Sequence, residues 1–261
     1  MGQIFRTEAV VLRKMSFRET SQIVTLFTRE KGKIAALAKG ARKLKSQFGA
    51  TLQPMSHIQA IFYYKPTRDL QTLSETSHIT VLNGITSDLD KITAGMRMIE
   101  LIQALLQQEE SNPVVFNLLV NSLQHLDKAS SHLENIWLHF QLQLAGALGF
   151  QPDINREEVE SLADEGGILL LDSGSIHVAR SADDFFSGGG KTSTPTSLVA
   201  TRTALRAFAI LARSDLEVIT RLNLKPEIMI EVNNLVDRYL KFHFEDMLPT
   251  RSDRVIGQLK I

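Results

Sequence analysis

Lys39, Arg42, Lys43 and Lys45 fall within seven residues that also hold Gly40 and Ala41, and Ser46, Gln47 and Phe48 follow them. Several cations on a glycine-containing loop suit a polyphosphate, because they neutralise phosphates without reading bases, while the nearby aromatics Phe17 and Phe48 can stack on unpaired bases. A solubilising lysine surface has the same composition, so the loop by itself leaves both readings open. The distribution of charge favours the first. Residues 1–80 carry 13 basic and 5 acidic side chains against 16 and 24 in residues 81–261, so a chain of net charge zero divides into +8 and −8. Such asymmetry predicts a basic module that meets a polyanion, joined to an acidic body with a different task.

Other chemistries fare worse. The chain has no cysteine, which excludes disulfides, thiol catalysis and thiolate zinc sites. His125, His132 and His139 recur every seven residues, a spacing of about 10 Å along a helix and too long for one metal. Ser130 or Ser131 is a helix start that would break their alignment. Gly188-Gly189-Gly190-Lys191-Thr192 ends like a phosphate-binding loop, but Phe185 stands where that motif needs its first glycine and Pro195 falls where the helix should gather its amides. A loose connector is the better reading. Glu157, Glu158, Glu160, Asp164 and Glu165 read as a solvated face, with no apolar pocket residue to perturb them. No nucleophile elbow, zincin, dinucleotide or kinase signature is present. The expectation is a protein that is not an enzyme and needs neither cofactor nor metal.

Short β-branched and aromatic runs broken by turn chemistry predict five strands before Thr80: Ala9 to Met15, Ser21 to Thr28, Ile34 to Ala38, Met55 to Tyr64 and Leu70 to Ile79. Several are apolar on both faces, as a small barrel covered at one end requires. From about Asp88 the period becomes 3.6, in Met98, Leu101, Ile102 and Leu105, in Leu205, Phe208, Ala209 and Ala212, and in Val232, Leu235, Val236, Tyr239 and Leu240. Asn112-Pro113 and Pro226 read as helix starts. Ile136 to Phe150 is apolar nearly all round, the pattern of a central buried helix. Between Pro152 and Pro195 only Ile168 to Leu171 and Ile176 to Ala179 are strand-like, a hairpin turning at Asp172-Ser173-Gly174-Ser175. With 261 residues, 43% apolar and 22% charged, the chain has the make-up of about two globular domains. No apolar run reaches the roughly 18 residues of a membrane span, and Arg6 and Glu8 interrupt the first ten residues, so a soluble cytoplasmic protein is expected.

Glu8-Ala9-Val10-Val11-Leu12-Arg13, Arg18-Glu19-Thr20-Ser21, Phe27-Thr28-Arg29-Glu30-Lys31-Gly32-Lys33, Ala38-Lys39-Gly40-Ala41-Arg42, Ser46 and Leu52-Gln53-Pro54 together resemble the N-terminal domain of the bacterial recombination mediator family RecO. Leu148-Gly149-Phe150-Gln151-Pro152 is similar to that family's LGF-x-P element, and Tyr239-Leu240 with His243 to its closing helix. The resemblance implies an α+β multidomain chain. Residues 1–80 would form a five-stranded OB-fold β-barrel that binds DNA. Residues 81–261 would form a mostly α-helical domain, with 152–195 as an inserted β-hairpin region. It also implies binding of single- and double-stranded DNA, annealing of complementary strands, and work with RecR, and sometimes RecF, to help RecA replace single-strand-binding protein. The acidic tail of that last protein would dock on the helical domain, and the protein would be nucleoid-associated. Many relatives carry four cysteines for a structural zinc in the inserted hairpin. This chain has none, so its zinc-finger-like region must be held by packing around Ile168, Leu170, Ile176 and Val178.

Carried over by position, Lys39 and Arg42 occupy the family's basic loop and Lys43 and Lys45 extend it, while Arg13 and Arg18 take charged positions near the first turn. The candidate DNA contacts are Arg13, Lys14, Arg18, Lys33, Lys39, Arg42, Lys43, Lys45 and Phe48. For the tail, the helix Trp137 to Leu148 is the expected wall, with His139, Arg202 and Arg206 as contacts; the two arginines lie one helical turn apart. A competing reading keeps the acidic domain as a protein scaffold beside a barrel that binds RNA.

Overall fold

Along Ser21–Thr28, Val24 and Leu26 are fully buried while Ile23 and Thr25 are half-buried, the alternation of a strand with one face in a core. The computed structural model describes residues 3–178, 196–245 and 247–248. Its described part divides into two units after Lys128, although the change of period lies near Thr80.

In the first unit, β1 (Gln3–Phe17), β2 (Ser21–Thr28), β3 (Gly32–Ala38), β4 (His57–Tyr64) and β5 (Leu70–Thr80) close into a barrel of order β1-β2-β3-β5-β4. All neighbours are antiparallel except β3 and β5. Small and large side chains alternate in the lumen: Ala9, Ala36, Ala38 and Ala60 leave room for Phe62, Ile58 and Leu26. The long β3–β4 connection adds Phe48 and Leu52 to the same core. A bulge at Leu12, between the pairs Val11/Leu26 and Arg13/Thr25, lets four consecutive residues of β1 be buried.

The outward row His57–Val10–Phe27 is also buried. Three helices follow the barrel: α1 (Asn83–Thr86), α2 (Leu89–Leu105) and α3 (Pro113–Lys128). Phe116 of α3 covers the row, with ring centroids 5.6 Å from Phe27 and 6.3 Å from His57. Asp88 caps α2 by accepting from the amides of Asp90 and Lys91. Asn112 Oδ1 accepts from Val115 N (3.0 Å), so Asn112-Pro113 opens α3 as its sequence predicts. Gly32, at φ +63°, makes the β2–β3 turn where the backbone of Glu110 lies against it.

In the second unit the elements are α4 (Leu133–Ala147), α5 (Arg156–Glu160), β6 (Gly167–Leu170), β7 (Ile176–Val178), β8 (Ser197–Ala200), α6 (Arg202–Arg213), α7 (Leu216–Ile219) and α8 (Pro226–Phe244). The predicted central helix is α4, buried along most of its length and packed on α6 and α8. It starts at His132, in a left-handed conformation without a side-chain cap, rather than at Ser130 or Ser131. The break after His125 stands.

The inserted region differs from its expected form in two ways. A third strand, β8, pairs with β6 to give the order β7-β6-β8, where a two-stranded hairpin was expected. On β6 the core face is also shifted by one: Leu169 and, just beyond the strand, Leu171 are buried, whereas Ile168 and Leu170 are half-buried on the opposite face; on β7 Ile176 is buried as expected and Val178 is half-buried. Alternating apolar residues on both faces of a four-residue strand give no parity signal, so its buried side could not be read from the sequence. Gly188–Gly190 and Lys191 lie outside the described residues. Among the described residues no helix is long and apolar enough to cross a membrane.

Candidate nucleic-acid interface

Residues with lumen-facing neighbours must themselves face outward on a strand. Arg13 pairs with Thr25 and Thr25 with Ala35; Met15 pairs with Ile23 and Ile23 with Leu37; Phe17 pairs with Ser21. The outer face of β1–β2–β3 is therefore a set of cross-strand rows about 7 Å apart along each strand, carrying Arg13, Met15, Phe17, Ile23 and Leu37. On this face Met15 is half exposed, and Phe17, Ile23 and Leu37 are half-buried.

Two connections border this face. The β1–β2 turn begins at Arg18, whose φ of +54° is rare for a non-glycine. Its guanidinium lies 5.2 Å from the centroid of the Phe17 ring. The loop after β3 folds back onto that turn: Arg42 N donates to Thr20 O (2.9 Å) and Arg42 Nη1 to Arg18 O (3.0 Å). Lys43 N closes a turn onto Gly40 O (3.1 Å), with Gly40 at φ +74°. Backbone contacts thus bring the two cationic segments of the sequence to one end of the barrel. Arg13, Arg18, Lys39, Arg42, Lys43 and Lys45 are exposed, and among the described residues none is ion-paired to a carboxylate. Glu19, in the turn itself, and Glu75, next to the Ser74 carbonyl that accepts from Gln47 Nε2, are exposed acidic side chains near this end.

Three predicted members are placed differently. Phe48 is 1% exposed and lies in the barrel core, so it anchors the loop and has no ring face free for a base. Lys33 sits beside the opposite turn, one strand length or about 20 Å away. There its Nζ donates to Gln103 O (2.7 Å), and burial pushes its pKa down. Lys14 is half-buried on the lumen side of β1 and bonds through Nζ to Gln53 Oε1. Met15, Ile23 and Leu37, which sequence reasoning did not single out, are legible afterwards as apolar residues in phase opposite to the core.

The second unit has two adjoining concavities. One, of about 460 Å³, is lined by Ile154, Val159, Ala209 and Ile210 with Arg156, Arg206 and Arg213 around it. The other, of about 380 Å³, shares Arg206 and Ile210 and adds Arg202, Leu222 and Leu224. Arg202 and Arg206 are thus brought together on α6 as predicted. They are partly engaged, Arg202 with Asp164 (2.5 Å) and Arg206 with the carbonyls of Val159 (3.4 Å) and Glu160 (3.2 Å). His139 is not among them. It is 4% exposed, and its Nδ1 donates to Leu211 O (2.8 Å). The helix α4 that carries it lines neither concavity, because its apolar circumference is used up in the core.

A closed five-stranded barrel with exposed cations at one end, followed by a mostly helical unit, is the class of two-unit protein that the described residues define. Family comparison makes this specific. Residues 1–81 match the model for the N-terminal domain of recombination protein O, and residues 86–252 match its C-terminal model. The chain is 45% identical over 257 residues to the DNA repair protein RecO of Salinibacter ruber, covering 98% of this chain and 95% of that one. It is 28% identical to its counterpart in Chloroherpeton thalassium, covering 98% and 99%, and 26% identical to that of Bacillus pumilus, covering 90% and 88%. The chain belongs to the RecO family, whose role is in DNA repair and recombination.

Proposed function

We propose that this chain is a recombination mediator that binds single- and double-stranded DNA, anneals complementary strands and, with RecR, helps load RecA onto DNA coated by single-strand-binding protein. The observation that carries the reading is the group of exposed cations Arg18, Lys39, Arg42, Lys43 and Lys45 at one end of the barrel, with Arg13 farther along the outer face of β1, none of them ion-paired to a carboxylate among the described residues. Cations left unpaired in the folded state are free to replace the counterions of two phosphate backbones at once, which lowers the repulsion between strands that must meet. No bond is made or broken in that task. The strand order, with β3 parallel to β5 and β4 returning to β1, supports reading residues 1–80 as an OB-fold whose β1–β2–β3 face carries the strand. The exposed Met15 and the half-buried Phe17, Ile23 and Leu37 offer bases a sequence-tolerant apolar surface.

For the acidic tail of single-strand-binding protein, the reading moves from α4 to the groove on α6. There an apolar floor of Val159, Ala209 and Ile210 is ringed by Arg156, Arg206 and Arg213, the complement of an acidic peptide with apolar residues. The test is annealing of complementary strands coated with single-strand-binding protein, with and without its acidic tail. Annealing that requires the tail supports both halves of the reading. Annealing of bare strands alone confines it to the barrel, and none at all refutes it. Mobility shifts with single strand, duplex and RNA of equal length separate it from an RNA-binding scaffold.

A further inference from the structure

Leu44 has 108% of its reference surface exposed, more than any other large apolar side chain in the described residues. A lone exposed leucine is ordinary, but this one has a particular setting. On its N-terminal side Ala41 packs against the barrel core and Arg42 is bonded to the β1–β2 turn. On its C-terminal side Phe48 N donates to Ser46 Oγ (3.2 Å), Gln47 Nε2 donates to Ser74 O (2.6 Å), and the Phe48 ring fills the core. The tip Lys43-Leu44-Lys45 is therefore presented between two braces. It also sits among the exposed cations Lys39, Arg42, Lys43 and Lys45 of the same loop, a setting that favours a polyanion.

We infer that Leu44 is an apolar wedge that enters the base stack of the strand held by Lys39, Arg42, Lys43 and Lys45, parting one base step while the flanking cations grip the phosphates on either side. The inference rests on the DNA reading proposed above and extends it to a defined contact. Leucine is among the side chains that proteins insert between base steps, and a single strand offers the least stacking to lose. A parted step keeps the strand extended and its pairing edges open, as annealing requires. An acidic protein segment is the other polyanion such a tip would fit. The apolar outer face of β1–β2–β3 at the same end of the barrel favours nucleic acid, because bases continue onto it.

The test compares the full chain with Leu44→Ala and Leu44→Met on a single-stranded oligonucleotide containing 2-aminopurine, whose emission rises on unstacking. Saturating wild-type chain should raise emission. Leu44→Ala should lose most of that rise and bind about tenfold more weakly, equivalent to about 1.4 kcal/mol, with the same log-log salt slope. Leu44→Met should keep both. Folding is not at issue, since the side chain touches no core. Tight binding by Leu44→Ala with full emission overturns the wedge alone, whereas absence of DNA binding by the wild type overturns the DNA reading and the wedge with it. If an acidic peptide distinguishes wild type from Leu44→Ala and DNA does not, the tip is a protein contact and the inference fails.

Discussion

Replacing Lys39, Arg42, Lys43 and Lys45 together by alanine should change how DNA binding responds to salt. On single strands each neutralised phosphate contributes about 0.7 to the slope of log affinity against log salt. Six engaged cations, with Arg13 and Arg18 added to the loop, give a slope of about −4.2, and the quadruple variant retains about −1.4. Between about 50 and 200 mM salt, the wild type should lose about 300-fold in affinity and the variant only about sevenfold. Fluorescence anisotropy titrations at four salt concentrations measure both. Arg42 needs its own control, because it also ties the loop to Arg18 O and Thr20 O. The triple lysine variant, which leaves that tie intact, should settle near −2.1. Lys33→Ala, at the far end of the barrel, should leave the slope where it was. A quadruple variant with the wild-type slope would move the DNA site elsewhere, and a large effect of Lys33→Ala would contradict the assignment of the cations to one end.

Three further outcomes are expected. Phe48→Ala should cost about 3–5 kcal/mol in denaturant unfolding, the range for emptying a buried phenylalanine site, while the salt slope of the protein that remains folded is unchanged; a slope change without a stability change would restore Phe48 as a DNA contact. Gly32→Ala places a methyl group against the Glu110 carbonyl in a left-handed turn, so it should destabilise the first unit by more than the roughly 1 kcal/mol of an ordinary glycine substitution, read from its unfolding midpoint. His57 is pushed below its ordinary 6.5 chiefly by burial, with Arg29 acting in the same direction and Glu8 against it. The unfolded chain therefore takes up the proton first, and stability present above pH 6.5 is lost as pH falls below it. His57→Gln should remove part of that loss in urea titrations at pH 7.5 and 5.5, leaving the part that His243, lowered by burial likewise, contributes with the same sign.

The strands and long helices were legible because their apolar periods are long enough to be unambiguous. Ser21–Thr28 matches its predicted bounds, and Pro226 opens α8 where proline at the first helical position requires. The failures have one physical origin, that burial depends on partners the local pattern does not name. Phe48 follows a run of lysines and looks like loop surface, yet the lumen of a barrel lined with alanines has space for it. His139 lies on a helix apolar all round, which makes a buried histidine the natural outcome. Lys33 and Lys39 are six residues apart and look like one patch, but a strand of that length carries them to opposite ends. The grouping of Arg18 with Arg42 depended on backbone hydrogen bonds between a turn and a distant loop, which leave no trace in spacing.

Each unit pairs some of its cations, as Arg29 is paired with Glu8 in the first. In the second, Arg156 is bonded to Glu160, Arg202 to Asp164 and Lys241 to Asp237; each such exposed pair adds little to stability but neutralises the charge locally. At the cationic end of the barrel no such pairing exists among the described residues. Exposed ammonium and guanidinium groups without counter-charges repel one another. That repulsion is relieved when phosphates arrive, which makes binding and the release of counterions the same event. It follows that duplex binding and single-strand capture by the protein should both weaken steeply with salt, whereas peptide binding on α6, where the arginines already have partners, should respond less. A shallow salt response for DNA together with a steep one for the acidic tail would reverse the assignment of tasks to the two units.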